Sequence, residues 1–363
     1  MNQTISSLVD SIAPVDKSAE EAALAHLNQL TKPPGSLGKL EALAVKLAGV
    51  SGKVMSSYPA RAVVVMAGDH GVCEEGISAF PSEVTAQMVG NFLNGGAAVN
   101  VLARQADAEV LCVDIGVQTD LQHPGLISKK IRYGTANMVK EPAMTREEAE
   151  AAIMAGAEVA RSAFSRGVRL FVTGEMGIGN TTASAAVMSG LTGISTRESV
   201  GRGTGIDDEG LRLKIITVDR ALELHKPNGQ DPVDVLSKVG GLEIAGLTGV
   251  ILAAAALRCP VIIDGFISSA AALAAAKLAP DAVHYMIASH VSQEPGHVHL
   301  LKELGLEPML HLDMRLGEGT GGVLAIHLVD AACKIMAEMA TFTSAGISSA
   351  SDGAAPSPEG EAR

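Results

Sequence analysis

The chain has 363 residues, 47% of them hydrophobic and 2% aromatic, with no tryptophan and a formal net charge of −12. That length admits a large α/β domain with a small appendage and a well-buried core. The acidic, aromatic-poor composition argues against a nucleic-acid surface, and apolar stretches broken before about 18 residues predict no membrane partner.

The opening residues, MNQTISSLVDSIAPVDKS, have no basic start and no long apolar stretch, so no signal peptide and a cytoplasmic location are expected. Residues 1–60 read as helices broken by TKPPGSLG at 31–38, the first part of a small helical subdomain. From 61 to 321, β-rich runs at 62–66, 109–113, 168–172, 260–263, 283–287 and 308–312 alternate with helical patterns. That alternation predicts an α/β core with a mostly parallel, doubly wound sheet. One connecting helix, TREEAEAAIMAGAEVARSAF, opens with a capping box from Thr145 to Glu148. Residues 322–345 read as a C-terminal helix joining the small subdomain, and 346–363, small, polar and proline-bearing, as a disordered tail. Cys73, Cys112, Cys259 and Cys333 lie far apart with no C-x-x-C pair, which predicts free thiols.

In an open parallel sheet the ligand crevice lies beyond the carboxyl ends of the strands. Those ends carry Gly68-Asp69-His70-Gly71, Asp114 and Gly116, Gly174-Glu175, Asp264-Gly265, Ser289-His290, and DMRLGEGTGG. Asp69, Asp114 and Asp264 read equally well as turn carboxylates, and His70 and His290 as loop histidines. His297 and His299 lack a third ligand in the pattern, so no metal is expected. Glu318, set between Gly317 and Gly319 after an apolar run, is the strongest candidate for a chemical role.

The stretch GEMGIGNTTASAA nearly spells the phosphate loop G-x-x-x-x-G-K-[ST], with Asn180 in the lysine's place. Asn180, Thr181 and Thr182 put donors at a helix start, which suits a single phosphate. A dinucleotide fits poorly, because Thr182 stands at the third glycine of G-x-G-x-x-G. A phosphoryl transferase using the same loop and a non-catalytic sensor of a phosphorylated metabolite remain as alternatives.

The segments TKPPGSLGKLE, MAGDHGVCEEGIS, GEMGIGNTTASAA, LSKVGGLEIAGLTGV, DGFISSAAALAA, SHVSQEPGH and MRLGEGTGG occur in that order over residues 31–340. Together they resemble the nicotinate-nucleotide:5,6-dimethylbenzimidazole phosphoribosyltransferases of cobalamin biosynthesis. The resemblance implies a homodimeric glycosyltransferase, with no cofactor and no metal, that moves the 5-phosphoribosyl group of nicotinate mononucleotide onto a benzimidazole. It implies Glu318 as the base, with Glu175 and Lys214 supporting it. It places Gly177, Gly179, Asn180, Thr181, Ser292 and Asp264 around the phosphate and ribose, and Phe80, Gln87, Met314 and Leu316 around the benzimidazole.

Overall fold

The computed structural model describes residues 4–348. The tail expected from 346 therefore lies, from 349 onward, outside the described residues. Strands β1 (Arg61–Gly68), β2 (Glu109–Gly116), β3 (Ile127–Ser128), β4 (Leu170–Met176), β5 (Val261–Ile263) and β6 (Met286–Ala288) form one sheet in the order β3-β2-β1-β4-β5-β6. Every neighbouring pair is parallel. The reason is legible in β1, RAVVVMAG, which is buried from Ala62 to Gly68 without alternation, as a strand covered by helices on both faces must be. The mostly parallel α/β class expected from the alternation is the one observed.

Two of the predicted runs behave differently from the rest. Pro280 opens a 3₁₀ turn over Pro280–Tyr285, so the run at 283–287 yields only β6. The run at 308–312 yields β8 (Leu310–His311), which pairs in parallel with β7 (His290–Val291) in a separate two-stranded sheet.

The described residues divide into two compact units, the larger containing 4–15 and Tyr58–His327, the smaller Asp16–Ser57 and 328–348. Residues 4–15, expected in the small subdomain, belong to the larger unit for a packing reason. Leu8 of the short helix Ile5–Val9 is fully buried, and Tyr285 donates its hydroxyl to the Ala13 carbonyl at 2.7 Å.

Within the smaller unit, helices Lys17–Leu27 and Lys39–Ser51 pack together, and Leu30 bridges Thr341. The TKPPGSLG turn between them is stapled by Glu41, which accepts from the backbone of Gly35 and Leu37 and pairs with the buried Lys32 at 2.8 Å. Burial alone would raise the Glu41 pKa, but Lys32 and the backbone donors more than offset it and hold the carboxyl below its ordinary value.

The core of the larger unit contains an unusually close helix pair, Arg146–Ser165 against Leu242–Ala256. A Cβ on Gly156 would lie 1.8 Å from the Gly246 carbonyl oxygen, and one on Gly249 would lie 1.8 Å from that of Ile153. Glycine is required there for backbone contact rather than for conformational freedom. Among the described residues one helix, Thr320–Glu338, is long and apolar enough to cross a membrane, contrary to the expectation from sequence. Half of that stretch is buried in the fold, with Val323, Ala325 and Ile326 in the core, which is how a core helix reads.

Candidate active site

The order of the sheet reverses between β1 and β4, and a ligand crevice forms at such a switch point. A cavity of about 430 Å³ lies there. Its wall includes Glu175 and Met176 from the end of β4, the turn Gly177–Ile178–Gly179, and Asn180 and Thr181 at the start of helix Asn180–Thr192. Gly265 and Phe266 at the start of helix Phe266–Leu278 add to it, as do Gly317 and Glu318, just ahead of helix Thr320–Glu338. Helix starts present free backbone N–H groups and the positive ends of their dipoles, so the wall suits an anion.

Glu318 is held in a conformation that side chains rarely adopt. Its φ is +62°, between Gly317 at +85° and Gly319 at +96°. The turn lies directly on the end of β4, where a Cβ on Gly174 would meet the Glu318 carbonyl oxygen at 2.4 Å. Glu175 accepts from the Glu318 N–H at 3.3 Å, while Asp264 accepts from Gly319 at 3.2 Å and from Gly322 at 2.9 Å. Glu318 is 6% exposed, and its Oε2 accepts from the Val99 N–H at 3.4 Å. The result is a fixed carboxylate at the cavity wall.

Burial governs the electrostatics. It raises Glu318 above its ordinary value. Glu175 is pushed up to about 8 by desolvation and then by the neighbouring Asp264 and Glu243 carboxylates, and desolvation takes Asp264 to about 7. Desolvation also pulls Lys214 down to about 8, although Glu294 partly opposes the shift.

The turn after β4 explains the missing lysine. The Asn180 amide donates to Glu175, so this side chain ties down a carboxylate. The cation comes instead from helix Asp208–His225, whose buried Lys214 donates to Thr181 Oγ1 at 2.7 Å. Gly179 has φ +93°, and its Cβ site is 2.6 Å from Cys73 Sγ, so the turn passes too close to its support for a side chain.

Of the residues expected from sequence, Glu175, Glu318, Gly177, Gly179, Asn180, Thr181, Ser292, Asp264, Phe80 and Leu316 all lie on the cavity wall. Asp264 lines it with both carboxylate oxygens engaged by the backbone of the Glu318 segment. Lys214 stands behind Thr181 and off the wall. Gln87 and Met314 are also off the wall. On helix Glu83–Leu93 the cavity is faced by Val84 and Met88, one turn apart, and Gln87 points about 100° away from Met88. Ile77, Glu294 and Arg315 line the cavity without having been singled out. His297 accepts from the Ser292 N–H at 2.8 Å and meets the Ser269 hydroxyl at 3.0 Å, so it braces the Ser292 loop.

Phe80 and Leu316 are 53% and 57% exposed, leaving apolar surface at the cavity rim beside the buried Glu318 carboxyl. Fold and site together define a parallel α/β enzyme in which helix starts, an apolar rim and one fixed carboxylate converge on a single cavity. A family profile described as Phosphoribosyltransferase matches residues 12–347. The nicotinate-nucleotide–dimethylbenzimidazole phosphoribosyltransferase of Chloroflexus aggregans is 58% identical over 341 residues, which cover 94% of this chain and 97% of that one. The protein of the same name from Halalkalibacterium halodurans is 53% identical over 348 residues, covering 96% and 98%. The solved structure of CobT from Thermus thermophilus superposes with a TM-score of 0.89 at 49% identity, covering 91% of this chain and 99% of that one. The chain belongs to the nicotinate-nucleotide–dimethylbenzimidazole phosphoribosyltransferase family.

Proposed function

We infer that the protein transfers the 5-phosphoribosyl group of nicotinate mononucleotide to 5,6-dimethylbenzimidazole, giving α-ribazole 5′-phosphate and nicotinate for the lower ligand of cobalamin. The observation that carries this reading is the placement of Glu318, a buried carboxylate raised by desolvation, in the same cavity as the lysine-free glycine turn.

The donor has one phosphate, which the backbone at Gly177, Gly179 and Thr181 can hold with Lys214 behind it. One ring nitrogen of the benzimidazole attacks the anomeric carbon from the face opposite nicotinate. The bond from that carbon to the pyridinium nitrogen breaks, its electron pair neutralises the ring, and the leaving group needs no proton. The benzimidazole N–H proton passes to Glu318, so no positive charge is left on the product ring. Burial makes Glu318 a stronger base than a solvated carboxylate, and Val84, Met88, Phe80 and Leu316 offer an apolar slot for the acceptor.

The donor has no pyrophosphate for a divalent ion to bridge, so this chemistry calls for no metal. A phosphoryl transferase would use a lysine at position 180 and a free hydroxyl at 181. Asn180 is instead tied to Glu175 and Thr181 to Lys214, which disfavours that alternative. The test is chromatography of a reaction containing nicotinate mononucleotide, dimethylbenzimidazole and EDTA. Equimolar α-ribazole phosphate and nicotinate are expected. Donor binding without turnover would make the protein a sensor, and activity only after magnesium is restored would remove the metal-free mechanism. A homodimer is part of the same proposal, checked by light scattering.

A further inference from the structure

We propose that His70 is a positioning residue for the donor's phosphate, forming with Glu243 a charged underside to the Gly177–Gly179 turn and strengthening the turn's hold on an anion without touching it. The inference rests on the reading of that turn as the phosphate's seat and deepens it.

The pair is boxed in by backbone. His70 follows the end of β1 by two residues, and Glu243 stands in the first turn of helix Leu242–Ala256. Their side chains are 1% and 0% exposed, and His70 Nε2 meets Glu243 Oε1 at 2.8 Å. A Cβ on Gly241 would lie 2.5 Å from His70 Cε1 and 2.6 Å from Glu243 Oε2, and one on Gly68 would lie 3.3 Å from that same oxygen. The turn itself rests on the histidine. A Cβ on Gly177 would lie 3.2 Å from His70 Nε2, and one on Gly179 would lie 3.3 Å from His70 Cβ. Neither His70 nor Glu243 lines the cavity, so contact with substrate is not what holds them there.

Stability is a poor explanation of the pair. Taking two charges out of water is costly unless their polar atoms are all engaged, and His70 Nδ1 and Glu243 Oε2 have no hydrogen-bond partner among the described residues. Its orientation explains more. Glu243 occupies a helix start, where the positive end of the dipole compensates a carboxylate. Of the pair, it is the histidine that lies nearest to Gly177 and Gly179. Burial alone would lower the His70 pKa, but the Glu243 carboxylate and then Asp69 more than offset it, which favours the imidazolium. Lys214 stands behind Thr181 at the far end of the turn. A cation therefore backs each end of a loop that carries Asn180 where a phosphate loop has its lysine.

The experiment measures binding of nicotinate mononucleotide, of the riboside that lacks its phosphate, and of dimethylbenzimidazole by calorimetry, for the wild type, His70→Gln, Glu243→Gln and the double variant. His70→Gln keeps a donor toward Glu243 and loses the charge. Glu243→Gln keeps the imidazole and removes the carboxylate that sustains its charge. The double variant buries two amides and no ion, which guards against a fold lost to an unpaired charge. Each should weaken binding of the nucleotide by roughly 3- to 30-fold, the range of a fixed charge acting on a nearby anion, and leave the riboside and the benzimidazole within about twofold. The ring-nitrogen NMR signals of His70 should report an imidazolium in the wild type at about pH 7 and a neutral ring in Glu243→Gln. Equal losses for nucleotide and riboside would make the pair a structural brace. A neutral ring in the wild type, or an unchanged nucleotide affinity in all three variants, would remove its charge from the phosphate's seat; each of these results overturns the proposal. The expected binding pattern with no product formed by the wild type would instead sink the transfer reaction and spare the role of His70.

Discussion

Glu318 shows at the scale of one residue how backbone geometry becomes chemistry. A glutamate at φ +62° costs on the order of 1–3 kcal/mol unless its surroundings fix it, and here Glu175 and Asp264 fix it by accepting from the N–H groups of Glu318, Gly319 and Gly322. The strain is local, and what it delivers is a carboxylate that does not have to be ordered when substrate binds. Glu318→Gln keeps the volume and cannot take the proton. We expect kcat to fall by roughly 10²–10⁴-fold, with donor binding and thermal stability nearly unchanged. Retention of most of the wild-type kcat, with chemistry shown to be rate-limiting, would move the base elsewhere. Because burial raises Glu318, the acid limb of the wild-type rate profile should lie above the ordinary glutamate value, and kcat should fall as pH drops through it. Glu318 and the glycine turn were legible in the sequence because flanking glycines are a local signal. Arg315 and Glu294 were not: nothing in a single arginine or glutamate tells which loop it faces. Gln87 lies off the cavity wall, next to Met88, which lines it, a distinction set by the helix phase that the sequence alone does not display.

Among elements, the strands were legible where apolar runs were long and their ends were less so. β1, with Val63, Val64 and Val65, announces itself, whereas β3 is two residues long and has no run to read. Residues 283–285 carry a strand-like composition, yet Pro280 and the residues after it form a 3₁₀ turn. The close helix pair was unreadable for another reason, since Gly156 and Gly249 have meaning only through the backbone each one touches. Gly249→Ala tests that contact. Its new methyl would sit against the Ile153 carbonyl oxygen and the Ala157 nitrogen, both backbone atoms that cannot rotate away. The helices must separate or shift, and overpacking of this kind costs roughly 1–3 kcal/mol or more. Thermal unfolding should show a Tm lowered by several degrees, with KM values little affected because Gly249 does not line the cavity. An unchanged Tm would mean that the pair is looser than its geometry.

At the scale of the whole molecule, the site is bought with stability, and the cost depends on pH in a way that can be isolated. Glu175 is ionised in the unfolded chain above its ordinary value of 4.5, but in the folded chain it holds its proton up to about 8. Between those values folding requires proton uptake, so the folded state loses stability as pH rises through the window. Below it both states are protonated and the cost is absent; above it the ionised carboxylate is buried in full. Asp264, raised to about 7, adds a slope of the same sign. Lys214, lowered from 10.5 to about 8, loses folded stability as pH falls through the range between those values, which lies above the Glu175 window. Glu175→Gln removes one contribution and leaves the others. Its amide also faces the Asn180 amide and the Glu318 N–H, which shifts stability by an amount that does not vary with pH. The informative quantity is therefore the difference in Tm between variant and wild type at two pH values. That difference should become more favourable to the variant from about pH 5 to about pH 8, while kcat falls at both. A difference that stays flat would mean that Glu175 is ionised in the folded protein throughout, and that it holds the Glu318 turn as a full carboxylate rather than as a group sharing its proton with the site.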